Sequence, residues 1–405
     1  MIEMTAIQAP VLIRPDREFR NRLMASGGED LKKCFQCATC SVVCEVSDST
    51  RPFPRKEMAW AQWGLKDRLV ADIDIWLCHQ CNDCSSRCPR GARPGDVMAA
   101  IRREAIGHYS APRWMAHWAN KPRFLTLVLL FPCLLLSLAA WVRGPLERML
   151  GASYSPNRII ISYWSQLPQW LLVAIFAPFV LLEAVIIAIG VTRFWLDLKA
   201  CDHEDTPAES RLSIGASIRS ALRSIILHDK FSKCTAERSR LNSHRLVLFG
   251  FAGLLVVDLW VLTARFNPLL RDVFVYPLSF WSPWKILANV AGAAVLIGCT
   301  RMISDRMARS RGTDRSNRTS SLFAGTRFDW TFLGLAAAAV FTGFGCEFLH
   351  YARVDPLRYA IYFIHLATVF ALVVLLPYSK FAHMIYRATA MVYAEHTGRH
   401  TRRSP

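Results

Sequence analysis

The residues most able to do chemistry are cysteines in two runs. CFQCATCSVVC places Cys34, Cys37, Cys40 and Cys44 at C-x2-C-x2-C-x3-C, and CHQCNDCSSRCP repeats that spacing at Cys78, Cys81, Cys84 and Cys88. Three thiolates two residues apart wrap three corners of an iron–sulfur cubane. In two-cluster ferredoxins the fourth cysteine of each run ligates the other cluster. The expected sets are therefore Cys34, Cys37, Cys40 and Cys88 for one [4Fe–4S] cluster, and Cys78, Cys81, Cys84 and Cys44 for the second. Structural zinc takes four cysteines as two pairs and would leave the third step of each run without a role. Of the chain's 13 cysteines, eight lie in these runs. Cys133, Cys201, Cys234, Cys299 and Cys346 are scattered and read as buried small hydrophobes.

Histidines offer a second redox centre. In HLATVFALVVLLPYSKFAH, His365 and His383 stand 18 residues apart. On one continuous helix that is five turns, so both rings would leave the same face about 27 Å apart, close to the thickness of a bilayer's hydrocarbon core. One helix would then offer an axial ligand to haem b in each leaflet. Bis-imidazole ligation suits a haem that passes electrons and never binds oxygen. His244, opening SHRLVLFGFAGLLVVDLW, is expected at the depth of His383 as its partner. His350 is expected to meet His365 across the outer loop, with His228 as an inner competitor, so one or two haems are anticipated. Carboxylates within apolar stretches are costly in lipid and mark functional positions. Glu183, Asp258 and Glu347 are of this kind; Asp258 and Glu347, in the outer half, are the expected proton carriers for a quinone. Glu347 and His350 share a helix face.

These groups must be positioned by a membrane protein. The 405 residues are 53% hydrophobic, with 49 Lys+Arg against 31 Asp+Glu and a net charge of +18; the mean hydropathy is +0.22. That composition excludes a disordered chain, a collagen-like repeat and a small disulfide scaffold. The opening MIEMTAIQAPVLIRPDREF lacks the pattern of a secretory leader, so the cysteines are expected in a reducing compartment, where clustered thiolates mean metal. Residues 1–115 form a polar segment, expected as a helical two-cluster ferredoxin domain with helices over 55–70 and 96–109. Residues 116–405 carry six apolar stretches of bilayer-spanning length: 124–142, 168–192, 245–265, 284–303, 328–350 and 359–384. The fold class is all-α.

Segments 193–243 and 304–327 hold nine and six Lys/Arg, against three, one and two in 143–167, 266–283 and 351–358. The positive-inside rule then puts the N-terminal domain and the C-terminus in the cytoplasm, with the chain in the inner, cytoplasmic membrane. The positive charge follows this topology, and no nucleic-acid partner is expected. Near 214–230, Ile218, Leu222, Ile225 and Ile226 recur at helical spacing with Arg219 and Arg223 between them, an amphipathic helix for the lipid surface.

The helical linker between the cysteine runs resembles the ferredoxin domains of succinate dehydrogenase iron–sulfur subunits and of the C subunits of heterodisulfide reductases. His365 and His383 flanking Pro377 and Ser379, with a small-residue-rich helix opening at His244, resemble the cytochrome b subunit of respiratory nitrate reductase and the E subunits of heterodisulfide reductases. That family carries a second histidine ten residues after the first, where this chain has Leu254. Taken together, and with PYSKFAHMIYRATAMVYAE adding to the match, the chain resembles the C subunits of quinone-interacting membrane-bound oxidoreductases. The resemblance implies electron transfer between a quinone pool (menaquinone or ubiquinone) and two soluble flavin iron–sulfur subunits that communicate with adenylylsulfate reductase in sulfur metabolism. No G-x-G-x-x-G follows an expected strand, so those partners are expected to carry the flavin. A heterodisulfide-reductase membrane anchor is the alternative; a colourless scaffold and an ion-translocating subunit rank below it.

Overall fold

A computed structural model describes residues 14–119, 121–149, 169–201, 212–228, 239–267, 269, 278–312, 327–354 and 357–399. Cys234, residue 168 of the second expected span, residues 229–230 of the expected surface helix, and 202–211, 229–238 and 313–326 of the basic connections lie outside the described residues. The described residues form helices joined by turns, with no strand among them.

The cysteine-bearing part is built from short helices: α1 (Arg17–Leu23), α2 (Thr39–Val42), α3 (Arg55–Trp63), α4 (Lys66–Val70), α5 (Asp74–Leu77), α6 (Asp83–Ser86) and α7 (Pro94–Tyr109). Asp16 caps α1 by accepting from the Phe19 amide at 2.8 Å, which satisfies one of the first-turn donors a helix leaves open. The single helix expected over 55–70 is two. Gly64 ends α3 at φ +71°, and a Cβ there would lie 2.5 Å from the Asp16 carbonyl, so only glycine lets the chain turn this close to α1. The long helix α7 is mostly buried and forms the axis of this core, with Val97, Met98, Ile101, Ala105, Ile106 and Tyr109 all at 2% exposure or less.

Beyond it, α8 (Arg113–Ala119) and α9 (Pro122–Met149) meet at a 102° bend. Then follow α10 (Gln169–Cys201), α11 (Ile214–Leu227), α12 (Ser239–Phe266), α13 (Pro283–Gly312), α14 (Arg327–Ala352) and α15 (Leu357–Val374). Stretches of α10, α12, α13, α14 and α15 are long and apolar enough to cross a membrane, and the bent α8–α9 pair makes a sixth. The chain is a multi-pass membrane protein by this measure. Small residues let α12 and α13 pack closely, as membrane helices do. A Cβ at Gly250 would lie 2.7 Å from the Ala291 carbonyl, and one at Gly298 would lie 2.9 Å from that of Ser243. On the other side of the bundle Phe370 of α15 takes Phe131, Phe176 and Phe179 at ring distances of 5.9, 5.3 and 4.7 Å.

The sixth expected span, 359–384, is corrected here. The helix stops at Val374, a short turn covers Leu376–Tyr378, and the chain resumes as α16 (Ala382–His396). Pro377 has no amide to donate and its ring would clash with the preceding turn. His365 and His383 therefore sit on two helices, and the five-turn, one-face relation does not hold. Instead of continuing through the bundle, α16 packs on the cysteine domain. Trp76, Tyr109, Phe194 and Tyr386 form one aromatic cluster, with Trp76–Tyr386 at 5.3 Å and Tyr109–Phe194 at 5.1 Å. A Cβ at Gly190 would collide with the Tyr386 hydroxyl. The two parts of the molecule thus share one core.

The helix α11 lies against α16 through buried Ser217 and Ala221. Ile214, Ile218, Leu222, Ile226 and Leu227 are exposed, while Ile225, expected on the same stripe, packs inward on the core. Of the scattered cysteines, Cys299 is buried, Cys133 and Cys346 are half-buried, and Cys201 is exposed, which corrects its reading as a buried hydrophobe.

Candidate functional site

The two cysteine runs fold alike. Gln36 and Ala38 in the first have φ of +59° and +69°, and Gln80 and Asn82, at the same steps of the second, have +53° and +64°. Four non-glycine residues in the left-handed region cost of order 1–3 kcal/mol each and persist only where the surroundings impose them. Each run is pinned by a long side chain. Gln62 donates to the carbonyl of Cys34 at 2.9 Å, and Arg102 to that of Cys78 at 3.0 Å. The fourth cysteine of each run lies near thiols of the other run. Burial, then the nearby thiols of Cys88 and Cys37, push the Cys34 thiol up. Burial, then Cys78 and Cys81, push Cys44 up to about 12. Burial, then Cys34 and Cys37, push Cys40 up to about 11, and Cys84 is raised by burial and then by Cys78, Cys44 and Cys81. So Cys88 stands with the first run and Cys44 with the second. The amides of Gln80 and Ala92 donate to the sulfurs of Cys78 and Cys88 at 3.3 and 3.4 Å.

Buried Glu57, Asp72 and Asp74, with oxygens within 4.8 Å of one another, resemble a cation site. Lys56 already fills it, at 3.0, 3.1 and 3.3 Å from the three carboxylates, and Arg399 adds a 2.6 Å bond to Asp74. The group is an ion cluster that fastens the C-terminal segment to the cysteine domain.

Between the helices lies a cavity of about 1610 Å3, above the roughly 300–1,000 Å3 of ordinary small-molecule pockets. His228, His244, His350, His365, His383, Asp258 and Glu347 all line it. Glu183 is not among its lining residues; it is buried on α10, 8% exposed. The lining runs from His79 and Gln80, inside the second cysteine run, to Ser279, Phe280 and Tyr351 at the far ends of the helices.

Three of the histidines are held by one ring nitrogen with the other left for the cavity. His383 Nδ1 donates to the Lys380 carbonyl. His365 Nδ1 lies 3.0 Å from Thr342 Oγ1. That hydroxyl gives its own proton to the Ala338 carbonyl at 2.7 Å, so it must accept from His365. Gly343 makes the approach possible, since a Cβ there would sit 3.3 Å from the His365 ring. His228 Nδ1 faces the Ile226 carbonyl at 3.3 Å, where only donation is possible, and its Nε2 lies 3.0 Å from His244 Nδ1. A neutral His228 therefore accepts there, and His244 donates. In His244, His365 and His383 alike, Nδ1–H is used and the Nε2 lone pair remains, the arrangement that orients metal-binding imidazoles. His228, the expected inner competitor, reaches His244 Nδ1 through its own Nε2. With this donor set and an apolar cavity, the residues fit haem b.

The cavity's inner end is wired to the cysteine domain. Arg387, one turn beyond His383 on α16, donates to the Cys78 carbonyl at 3.0 Å and meets His79 Nδ1 at 2.7 Å. Arg240 donates to the Gln80 carbonyl at 2.8 Å. Asp329 is paired with Arg306 at 3.1 Å and Lys380 at 2.5 Å. At the outer end Glu347 bonds Lys285 at 2.9 Å and Asn289 at 3.1 Å. The cysteine spacing and the histidines were visible in the chain. Arg102, Arg387, Gln62 and Thr342 were not, and only the i,i+4 step from His383 to Arg387 offered a sequence signal.

Residues 30–92 match the 4Fe-4S dicluster domain family. The N-terminal region is 39% identical over 90 residues to the C subunit of the H(2):CoB-CoM heterodisulfide,ferredoxin reductase of Methanothermobacter marburgensis, covering 22% of this chain and 49% of that protein. It is 34% identical over 95 residues to an iron-sulfur C subunit of the CoB--CoM heterodisulfide reductase of Methanocaldococcus jannaschii, covering 22% and 50%. The chain thus spans about half the length of these curated relatives. Citrate utilization protein B of Escherichia coli is 25% identical over 414 residues, which is 96% of this chain and 95% of that protein. No solved structure matches. The N-terminal region matches a 4Fe-4S dicluster domain, is similar to the C subunits of heterodisulfide reductases, and is joined to a helical membrane region.

Proposed function

We propose that this chain carries electrons between a quinone at the outer end of the cavity and a soluble partner at the cysteine domain. The observation that carries the reading is the bonded route at the inner end, where α16 presents His383 to the cavity and Arg387 to Cys78. When bound, haem b and the two [4Fe–4S] clusters supply one-electron carriers along that route. Cys34, Cys37, Cys40 and Cys88 hold the cluster nearer solvent, and Cys78, Cys81, Cys84 and Cys44 the one nearer the cavity. His244 and His383 would hold an inner haem, with His228 and the Lys380 carbonyl fixing their rings. His365, steadied by Thr342, and His350 would hold an outer one. Glu347, poised between Lys285 and Asn289, and Asp258 take up or return the two protons that accompany quinol oxidation or quinone reduction.

The cytoplasmic orientation is part of this reading. Arg240 and Arg306, from the two most basic segments, lie on the side of the bundle that faces the cysteine domain, which suits the positive-inside rule. The exposed apolar stripe of α11 would lie in the lipid surface on that side.

The soluble partner has two readings. Similarity of the N-terminal region to the C subunits of heterodisulfide reductases favours flavin iron–sulfur partners of that kind, and the sulfur-metabolism partner with adenylylsulfate reductase extends it. The similarity that runs the full length of the chain, to Citrate utilization protein B, favours a partner that serves the use of citrate. Copurification from the native membrane, with the partner identified by mass, separates them.

The first test is haem and iron per chain on detergent-purified protein. Eight irons and one or two low-spin haems, reducible by a naphthoquinol, are expected. Full iron with no haem in a haem-replete host would overturn the quinone reading and leave the dicluster domain standing.

A further inference from the structure

The cluster domain presents an apolar and basic surface beside the first cysteine run. Phe35 and Val42, flanking the solvent-facing Cys37, are 67% and 84% exposed. Large apolar side chains held open beside a redox centre mark an interaction site. Arg90 lies over the Phe35 ring at 4.5 Å and so brings the second cysteine run's exit onto the first. In stretches 30–55 and 78–92 Lys32, Lys33, Arg55 and Arg87 are exposed too, against a single exposed acid, Glu45. Lys33 is paired with Asp30 at 2.7 Å. The Arg55 amide donates to Ser41 Oγ at 3.3 Å, which sets Arg55 beside the first run.

The two cysteine groups therefore face different neighbours. The group of Cys78 is enclosed by Arg102, Arg387 and the cavity-lining His79 and Gln80. The group of Cys34 and Cys37 faces outward, under the apolar and basic patch. We propose that this patch is the docking surface for a soluble redox protein with an acidic face, and that electrons cross there through the cluster of Cys34, Cys37, Cys40 and Cys88. The inference rests on the electron-transfer reading above and adds where the partner docks and what charge it carries. Basic rims of this kind raise association rates, and their effect is screened by salt. Phe35 and Val42 supply the apolar centre, the part of an interface that fixes residence time.

The experiment uses the full-length, cluster-loaded protein in detergent and an acidic plant-type [2Fe–2S] ferredoxin, reduced with dithionite, as the probe. One electron leaves the reduced probe and enters the oxidised cluster, with no proton exchanged. The second-order rate is followed by stopped-flow absorbance. It should fall at least about tenfold between 20 and 300 mM salt. Arg90→Glu and Arg55→Glu should each slow exchange at low salt several-fold, the double variant should abolish the salt dependence, and Arg90→Lys should restore the wild-type rate. Reduced protein should pass electrons to a cationic c-type cytochrome with the opposite salt response. Iron content and the reduced-cluster EPR spectrum keep the outcomes apart. Missing clusters in the wild type would sink the electron-transfer reading itself. Intact clusters in every variant, with rates indifferent to charge reversal and salt, would overturn the docking surface alone.

Discussion

The two ends of the cavity use the same residue type for different ends. At the inner end His244 and His383 are backed by hydrogen bonds to His228 and to the Lys380 carbonyl. Arg102, Arg240 and Arg387 bind backbone carbonyls of Cys78 and Gln80. At the outer end His365 leans on Thr342, and the nearby groups are an acid and its partners, Glu347 with Lys285 and Asn289. One end is tied to the second cysteine run through a few bonds and the other holds a paired acid. The difference teaches that a single cavity can give its histidines different neighbours at its two ends, and on the proposed function those neighbours would separate electron exit from proton exchange.

The sharpest way to break that comparison is to remove an inner ligand. His383→Ala or His244→Ala should cost one haem per chain by pyridine haemochrome. Either should slow quinol-driven cluster reduction by more than about 100-fold, the upper end of what losing only a ligand's support costs. Iron content should not change. If His365→Ala removes the same haem, the two ends are one site. Next in size is Glu347→Gln, which keeps the shape and removes the charge. Naphthoquinol should then reduce the protein about 10²-fold more slowly, the lower range for a lost acid–base group, while dithionite reduces it at the wild-type rate. Equal slowing with both reductants would make Glu347 a structural partner of Lys285 alone.

How far the sequence foretold this follows from the range of each interaction. Cysteine spacing is a local signal, and the two runs, with matching positive φ at Gln36 and Gln80 and at Ala38 and Asn82, carried the dicluster domain. Hydropathy over 20-residue windows found the long helices for the same reason. It misled at 359–384, where an apolar average outweighed Pro377, and the helix there is broken and redirected. A window sum cannot weigh one missing amide against many methyl groups, although the backbone does. The support of His244 by His228 depends on α11 folding back onto α16, and the grip of Arg387 on Cys78 spans 309 residues. Neither leaves a periodic trace. What could be read was the i,i+4 relation of His383 and Arg387, and its meaning needed the domain that α16 packs against.

Smaller effects sharpen the comparison. His228→Ala and Thr342→Val each remove one acceptor for a ligand's Nδ1–H and leave the ligand in place. Roughly tenfold weaker haem retention is expected, at the lower end of such supporting bonds. A shifted low-spin EPR signal should accompany it, from the inner haem in the first variant and from the outer in the second. His228→Gln, which keeps an acceptor, should recover most of the loss. Both variants moving the same signal would contradict the assignment of separate supports.

The smallest expected effect is the most informative about wiring. Arg387→Met removes the bonds to the Cys78 carbonyl and to His79, but Arg102 still holds that carbonyl at 3.0 Å. A hydrogen bond from a charged donor contributes roughly 1.5–3 kcal/mol, and a carbonyl with a second donor loses less than the full amount. Haem and iron content should therefore match the wild type, and reduction of the inner cluster after flash reduction of the haem should slow by roughly two- to tenfold. Arg102→Leu with Arg387→Met should exceed the product of the single effects, because the two share one acceptor. If Arg387→Met alone proved as severe as His383→Ala, with haem lost, then α16 would be held in place by the cysteine domain rather than joining it to a site that stands by itself, and the inner end would exist only while the clusters are bound.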